Sequence, residues 1–139
     1  MINKDANMSN KDIIKNIVTV IRKDIKYHFP YLKFYVTGRC EMRVINGDIK
    51  PYYIIILKYV DGMVLSAMNN IVKKYHTSQE DKMYSYIDEI NIHRRISDDL
   101  KLKLLKEYDK MHNTSYTLSS KLNPEIEKYI KETFDRTNY

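Results

Sequence analysis

A single cysteine, Cys40, leaves this chain without any possible internal disulfide, which fits a reducing compartment better than an oxidising one. Glycine is almost as scarce. The three glycines stand isolated at 38, 47 and 62, so no glycine-rich phosphate loop can be assembled. The four histidines, His28, His76, His93 and His112, are scattered, with no His-x-x-x-His pair, no cysteine pair and no carboxylate cluster at metal spacing. No metal or other cofactor is therefore expected. The longest apolar run, Tyr52 to Leu57, falls far short of the roughly 20 residues a membrane helix needs. The polar stretch Met1 to Ser9 lacks the apolar centre of a signal peptide. The expectation is a cytoplasmic protein with no membrane contact.

The 139 residues and 43% apolar content suffice for one ordinary core, and one domain, 10–139, is expected behind a flexible start at 1–9. Tryptophan is absent while tyrosine reaches 13 and methionine 7, a composition associated with AT-rich coding. The charge is unevenly placed. Residues 1–60 carry 11 Lys and Arg against 5 Asp and Glu, whereas residues 61–139 carry 13 against 13, so the first part holds the whole net +6. A pI near 9.2 favours polyanionic partners: nucleic acid, an anionic membrane face or an acidic protein groove.

Hydrophobic periodicity predicts the elements. Ser9 with Asp12 reads as a helix start, and Ile13, Ile17, Ile21 and Ile25, with Ile14 and Val18 beside them, form one apolar stripe over about Asn10 to His28. Pro30 ends it. From Tyr31 the period becomes two, with Leu32, Phe34 and Val36 pointing one way and Lys33 and Tyr35 the other. Gly38-Arg39 reads as a tight turn. A second strand follows, with Cys40, Met42 and Val44 alternating against Glu41, Arg43 and Ile45, then the strong turn Asn46-Gly47. Tyr52 to Lys58 reads as an inner strand covered on both faces.

After Asp61-Gly62, residues Val64 to Tyr75 follow a helical period, and His76 to Asp88 reads as a loop folding back on the core. Ile90 and Ile92 alternate with Asn91 and His93 in a short fourth strand. Ser97 starts a helix with Leu100, Leu104, Leu105, Tyr108 and Met111 on its apolar face. Asn113 to Ser120 is a polar connection, and Asn123-Pro124-Glu125 starts a last helix anchored by Ile126, Ile130 and Phe134. The expected fold is α+β, a small antiparallel sheet of a three-strand meander plus a short fourth strand, in the order α-β-β-β-α-β-α-α. The first two helices would cover one face and the C-terminal helices pack outside.

Three stretches in order, Val20-Ile-Arg-Lys through Phe29-Pro to Lys33-Phe34, Lys58-Tyr-Val-Asp-Gly62 with Ile71-Val72, and Ile90 to Ser97 with Arg94 or Arg95, resemble a large polyvalent protein-associated domain, the twenty-ninth of that series. The resemblance covers about Asp12 to Tyr108 and leaves 113–139 as a helical extension. It implies an α+β fold and a phage or plasmid setting. It carries over no catalytic residue.

Three groups of residues are candidate contacts. Lys11, Lys15, Arg22 and Lys26 fall in one stripe flanking the apolar face of the first helix, either a phosphate-tracking rail or a solvated basic face. Lys33 and Tyr35, with Arg43 from the next strand, would share a sheet face able to stack bases or meet a protein, unless the C-terminal helices bury it. Arg94 and Arg95 precede a helix start and suit phosphate or carboxylate, although ion pairing with Asp98 and Asp99 is the structural alternative. A Cys40–His93 nucleophile and base is conceivable only if the sheet brings them together.

The function expected from these features is non-enzymatic: a mobile-element protein that binds nucleic acid or a host nucleoprotein, such as an inhibitor of a CRISPR effector in an infected bacterial cell. The alternative is a protein-interaction or structural module, a homodimer for instance, without nucleic-acid contact.

Overall fold

The computed structural model describes residues 9–76, 87–115 and 124–139. Helix α1 (Asn10–His28) begins where the Ser9 hydroxyl accepts a hydrogen bond from the Asp12 amide at 3.2 Å. It closes with the Phe29 amide on the Ile25 carbonyl at 2.8 Å, just ahead of Pro30. Its aliphatic stripe, Ile13, Ile14, Ile17, Val18, Ile21 and Ile25, is buried, each side chain contributing about 1.5–3 kcal/mol by leaving water.

Strands β1 (Lys33–Ile45) and β2 (Asp48–Val60) form one long antiparallel hairpin in unbroken register from Lys33 opposite Val60 to Ile45 opposite Asp48. The reversal is Asn46-Gly47, both at positive φ (52° and 84°), as a two-residue hairpin turn requires. The turn expected at Gly38-Arg39 does not exist. A Cβ at position 38 would lie 2.6 Å from Ile14 Cγ1 and 2.9 Å from Val18 Cγ2, so this glycine lets α1 lie directly on a continuous strand. The two strands expected on either side of it are one, and the described fold is α+β with three strands and four helices.

The sheet is also mixed rather than wholly antiparallel. Strand β3 (Glu89–Arg95) joins β2 in parallel, Ile54 beside Glu89 through Val60 beside Arg95, giving the order β1-β2-β3. A parallel neighbour needs a long crossover. Helix α2 (Leu65–Val72), tightening into a 3-10 turn at Lys73–Tyr75, supplies part of it. The loop reading for His76 to Asp88 falls largely outside the described residues. At its ends His76 bridges the fully buried Ile87, and the Asp88 carboxylate accepts from the Tyr53 amide at 2.8 Å.

One sheet face carries Val36, Tyr53, Ile55, Leu57 and Tyr59 into a core closed by α1 and α2, with Ile90 and Ile92 packed against it. The other face is closed at Ile54, half-covered at Ile56 and open at Lys58. Helices α3 (Asp98–His112) and α4 (Pro124–Arg136) build a second, smaller core from Leu100, Leu104, Leu105, Ile126, Ile130 and Phe134, with Ile96, Tyr108 and Tyr129 at its margin. Met111, expected on that apolar face, is exposed. Its helix ends two residues later at Asn113, which takes the left-handed conformation of a helix cap. The start expected at Asn123 lies outside the described residues. Among the described residues no helix is long and apolar enough to cross a membrane.

Candidate functional site

Arg22 fixes the geometry of the basic stripe. From α1 its guanidinium donates to the Val36 carbonyl of edge strand β1 at 2.8 Å, so the flank of the helix that carries Arg22 runs along the sheet edge. Lys26, one turn on, shares that flank. Together with Lys23, Pro30, Leu32, Lys33, Phe34 and Tyr35 they line an open groove of about 500 Å³. Lys15 lies about 10 Å and Lys11 about 16 Å back along the axis at 1.5 Å per residue, both exposed. They extend the stripe without joining the groove.

Strand register carries the same charge onto the open sheet face. Lys33 stands in one row with Val60 and Arg95, and Tyr35 in the next with Lys58 and His93. Lys33, Tyr35, Lys58, His93 and Arg95 are all exposed. The C-terminal helices, which pack chiefly on each other, leave this end of the face open. Tyr35, Lys58, Tyr59, Val60, His93, Arg94 and Arg95 line a second hollow of about 230 Å³. Tyr35 borders both hollows and makes them one strip.

Among the described residues lining the two hollows none is acidic. The nearest carboxylate in sequence, Asp24, is turned to the other side of α1. There it accepts from Tyr75 Oη at 2.6 Å and Lys74 Nζ at 2.8 Å, with His28 Nδ1 at 3.2 Å. Burial opposes its ionisation, but the Lys74 and Tyr75 hydrogen bonds and the charges of Lys74 and His28 hold its pKa below the ordinary aspartate value. The cations of the strip thus face solvent without neutralising partners among the described residues, an arrangement that concentrates positive potential.

Two expected contributors are used elsewhere. Arg43 is eight residues along β1 from Tyr35, about 27 Å at the strand rise. It pairs with Glu41 at 2.8 Å, stacks on the Tyr52 ring at 3.8 Å, and Arg39 approaches the same carboxylate at 3.3 Å. Arg43 is thereby held at this end of the hairpin, away from Lys33 and Tyr35. Arg94 points inward and clamps carbonyl oxygens: Asp61 at 2.9 Å, Gly62 at 2.8 Å, Phe134 at 2.6 Å and Thr137 at 2.7 Å, with its plane 3.9 Å from the Phe134 ring centre. It does not pair with Asp98 or Asp99. Beside Asp98 and Asp99 in the first turn of α3, Asp61 also reaches this helix start and accepts from the Ser97 amide and hydroxyl at 2.8 and 2.6 Å. Arg94 thus borders the second hollow with its guanidinium already committed, and Arg95 is the exposed cation that the pair presents on the strip.

No family model matches the chain, and neither the curated proteins nor the solved structures contain a match. Lys23, Lys58 and His93 were not among the expected contacts. Lys23 lies off the four-residue stripe yet borders the groove, Lys58 stands beside Tyr35 through the register of the β1–β2 hairpin, and His93 joins that row only through the parallel placement of β3. The Cys40–His93 pair does not form: Cys40 lies opposite Tyr53, on the row and face of the core, while His93 lies beside Lys58 on the other face. Burial pushes the Cys40 thiol above its ordinary pKa, the reverse of an activated nucleophile. Among the described residues no three metal-ligating side chains cluster.

A different surface occupies the hairpin's far end. Beyond the start of β3 the two strands run on as an arm with Met42, Val44, Ile49 and Pro51 on one side, Val44 directly opposite Ile49. Val44 is 72% and Ile49 71% exposed. The alternation expected of Met42 and Val44 is real, but it faces solvent because α1 begins at Asn10, whose amide only touches Met42 Sδ at 4.0 Å.

Proposed function

We propose that this protein is a non-enzymatic accessory protein of a phage or other mobile element that binds nucleic acid, free or within a host nucleoprotein. The observation that carries the reading is the strip of Arg22, Lys23, Lys26, Lys33, Lys58 and Arg95 around Tyr35, whose two hollows have no acidic lining among the described residues. Cations clustered with an exposed aromatic ring, all but Arg95 from the part of the chain that holds the entire net charge, suit a phosphate backbone. The mobile-element setting rests on the resemblance of Asp12 to Tyr108 to a polyvalent protein-associated domain. In that setting, occupation of the nucleic-acid channel of a defence complex such as a CRISPR effector is the natural use of such a surface.

The test is binding of labelled oligonucleotides at low salt, followed by anisotropy. Lys26→Glu with Lys33→Glu is expected to abolish binding, whereas Lys103→Glu with Lys106→Glu on α3, an equal change in net charge, is expected to leave most of it. Equal losses in both would mean that net charge, not the strip, does the binding.

The apolar arm favours a second reading, a protein-interaction module that dimerises. Contiguous exposed apolar side chains at the end of a strand pair are poor company for water and good company for another chain. On this reading sedimentation gives a dimer that Val44→Glu with Ile49→Lys converts to a monomer. On the leading reading those changes leave oligonucleotide affinity untouched.

A further inference from the structure

Three tyrosines surround the corner between α1 and β1, and the folded core uses none of them. Tyr31 is 100% exposed, Tyr27 83% and Tyr35 60%, while Phe29, Leu32 and Phe34 between them pack against the core. Tyr27 follows Lys26 in the last turn of α1. Tyr31 and Tyr35 flank Lys33, and Tyr35 borders both cationic hollows. Tyrosine exposed singly calls for no explanation, but three in nine residues, interleaved with lysines that have no carboxylate partner among the described residues, form a pattern.

The pattern discriminates between forms of nucleic acid. A duplex hides its base faces in the stack and offers phosphates and base edges, which a protruding helix or ribbon reads in the grooves. Here α1 buries one face on the sheet and lays its cationic flank against the β1 edge, held by the Arg22–Val36 bond. What remains is charge lining an open groove beside projecting rings. An unpaired base can stack on such a ring while ammonium groups hold the phosphates on either side. From Tyr31 to Tyr35 the chain spans at most about 13 Å at the strand rise, a length covered by about four stacked nucleotides at 3.4 Å each.

We infer that the ligand is single-stranded nucleic acid, its phosphates following Arg22, Lys23, Lys26 and Lys33 and its bases stacking on Tyr35 and Tyr31. This rests on the reading of the strip as a nucleic-acid interface. The experiment compares short oligo-dT, oligo-rU and a duplex of equal length by anisotropy at low salt. The proteins are the native chain, Tyr31→Ala, Tyr35→Ala and Tyr35→Phe, each checked by circular dichroism. The expected result is single-strand binding at least tenfold tighter than duplex. Each alanine variant should lose roughly 5- to 150-fold, the usual worth of one stacked base, and Tyr35→Phe should stay within about twofold, because the ring and not the hydroxyl is used. The dT and rU arms distinguish DNA from RNA. Equal duplex affinity with unaffected alanine variants overturns the inference but leaves the cationic interface standing. Failure of all three oligonucleotides to bind at low salt overturns both.

Discussion

Replacing Arg94 by alanine removes four charged hydrogen bonds at once and strands the carbonyls of Asp61, Gly62, Phe134 and Thr137. Those groups lie where β3, the turn after β2 and the end of α4 meet, and the turn itself holds Asp61 and Gly62 at φ 55° and 66°. Asp61 at positive φ is unfavourable for a residue with a side chain, so the clamp also maintains a strained turn. A hydrogen bond to a charged group contributes about 1.5–3 kcal/mol. Four of them in one network do not add, and water reaches part of the half-buried guanidinium, so a net loss of about 3–5 kcal/mol is expected for Arg94→Ala. For a chain of this size that lowers the midpoint of thermal unfolding by roughly 10–20 °C. Arg94→Lys keeps the charge but not the fork and should recover less than half. Urea denaturation by circular dichroism measures the free energy, and proteolysis of native protein tests whether α4 is the first element released. An Arg94→Ala variant within about 0.5 kcal/mol of the native protein, the range of an ordinary surface change, would refute the clamp and return Arg94 to the candidate binding residues.

Gly38→Ala places a methyl against Ile14 and Val18 on the buried side of α1 and is expected to cost about 1–3 kcal/mol by overpacking, read as a shift in urea midpoint at unchanged slope. The depressed pKa of Asp24 has a definite sign. Its contribution is fully present above about pH 4, the ordinary aspartate value, and is lost as pH falls through the depressed folded value. Asp24→Asn should accordingly reduce stability at neutral pH and flatten the acid limb of the stability profile, measured by thermal unfolding from pH 7 to pH 2.

Much of the fold was legible because local chemistry decided it. Ser9 and Pro30 bound α1, Ser97 opens α3, Asn46-Gly47 reverses the hairpin, and strand parity put Leu32, Phe34 and Val36 inward and Lys33 and Tyr35 outward. Gly38 misled because a glycine permitting close packing and a glycine permitting a turn look the same in sequence. The parallel sense of β3 depends on the path of the crossover, which no local pattern encodes. The same division holds for the site. Arg22, Lys26, Lys33 and Tyr35 were visible from helical spacing and strand parity, whereas Lys58 and His93 join them through pairing register. Arg94 and Arg95 were indistinguishable as neighbours in the chain. One residue of difference in a strand sends the first guanidinium into the protein and the second onto its surface.

Binding of a phosphate backbone by the cationic strip makes single-strand affinity fall steeply with salt. If four or five of the six cations meet phosphates, counterion release gives a slope of log affinity against log salt of about −3 at 0.7 per contact. Affinity then falls roughly 60-fold between 50 and 200 mM salt, and Lys26→Ala with Lys33→Ala, which removes two contacts without reversing charge, flattens the slope by about 1.4. Absence of binding at 50 mM, or an affinity indifferent to salt and to those two lysines, would contradict it.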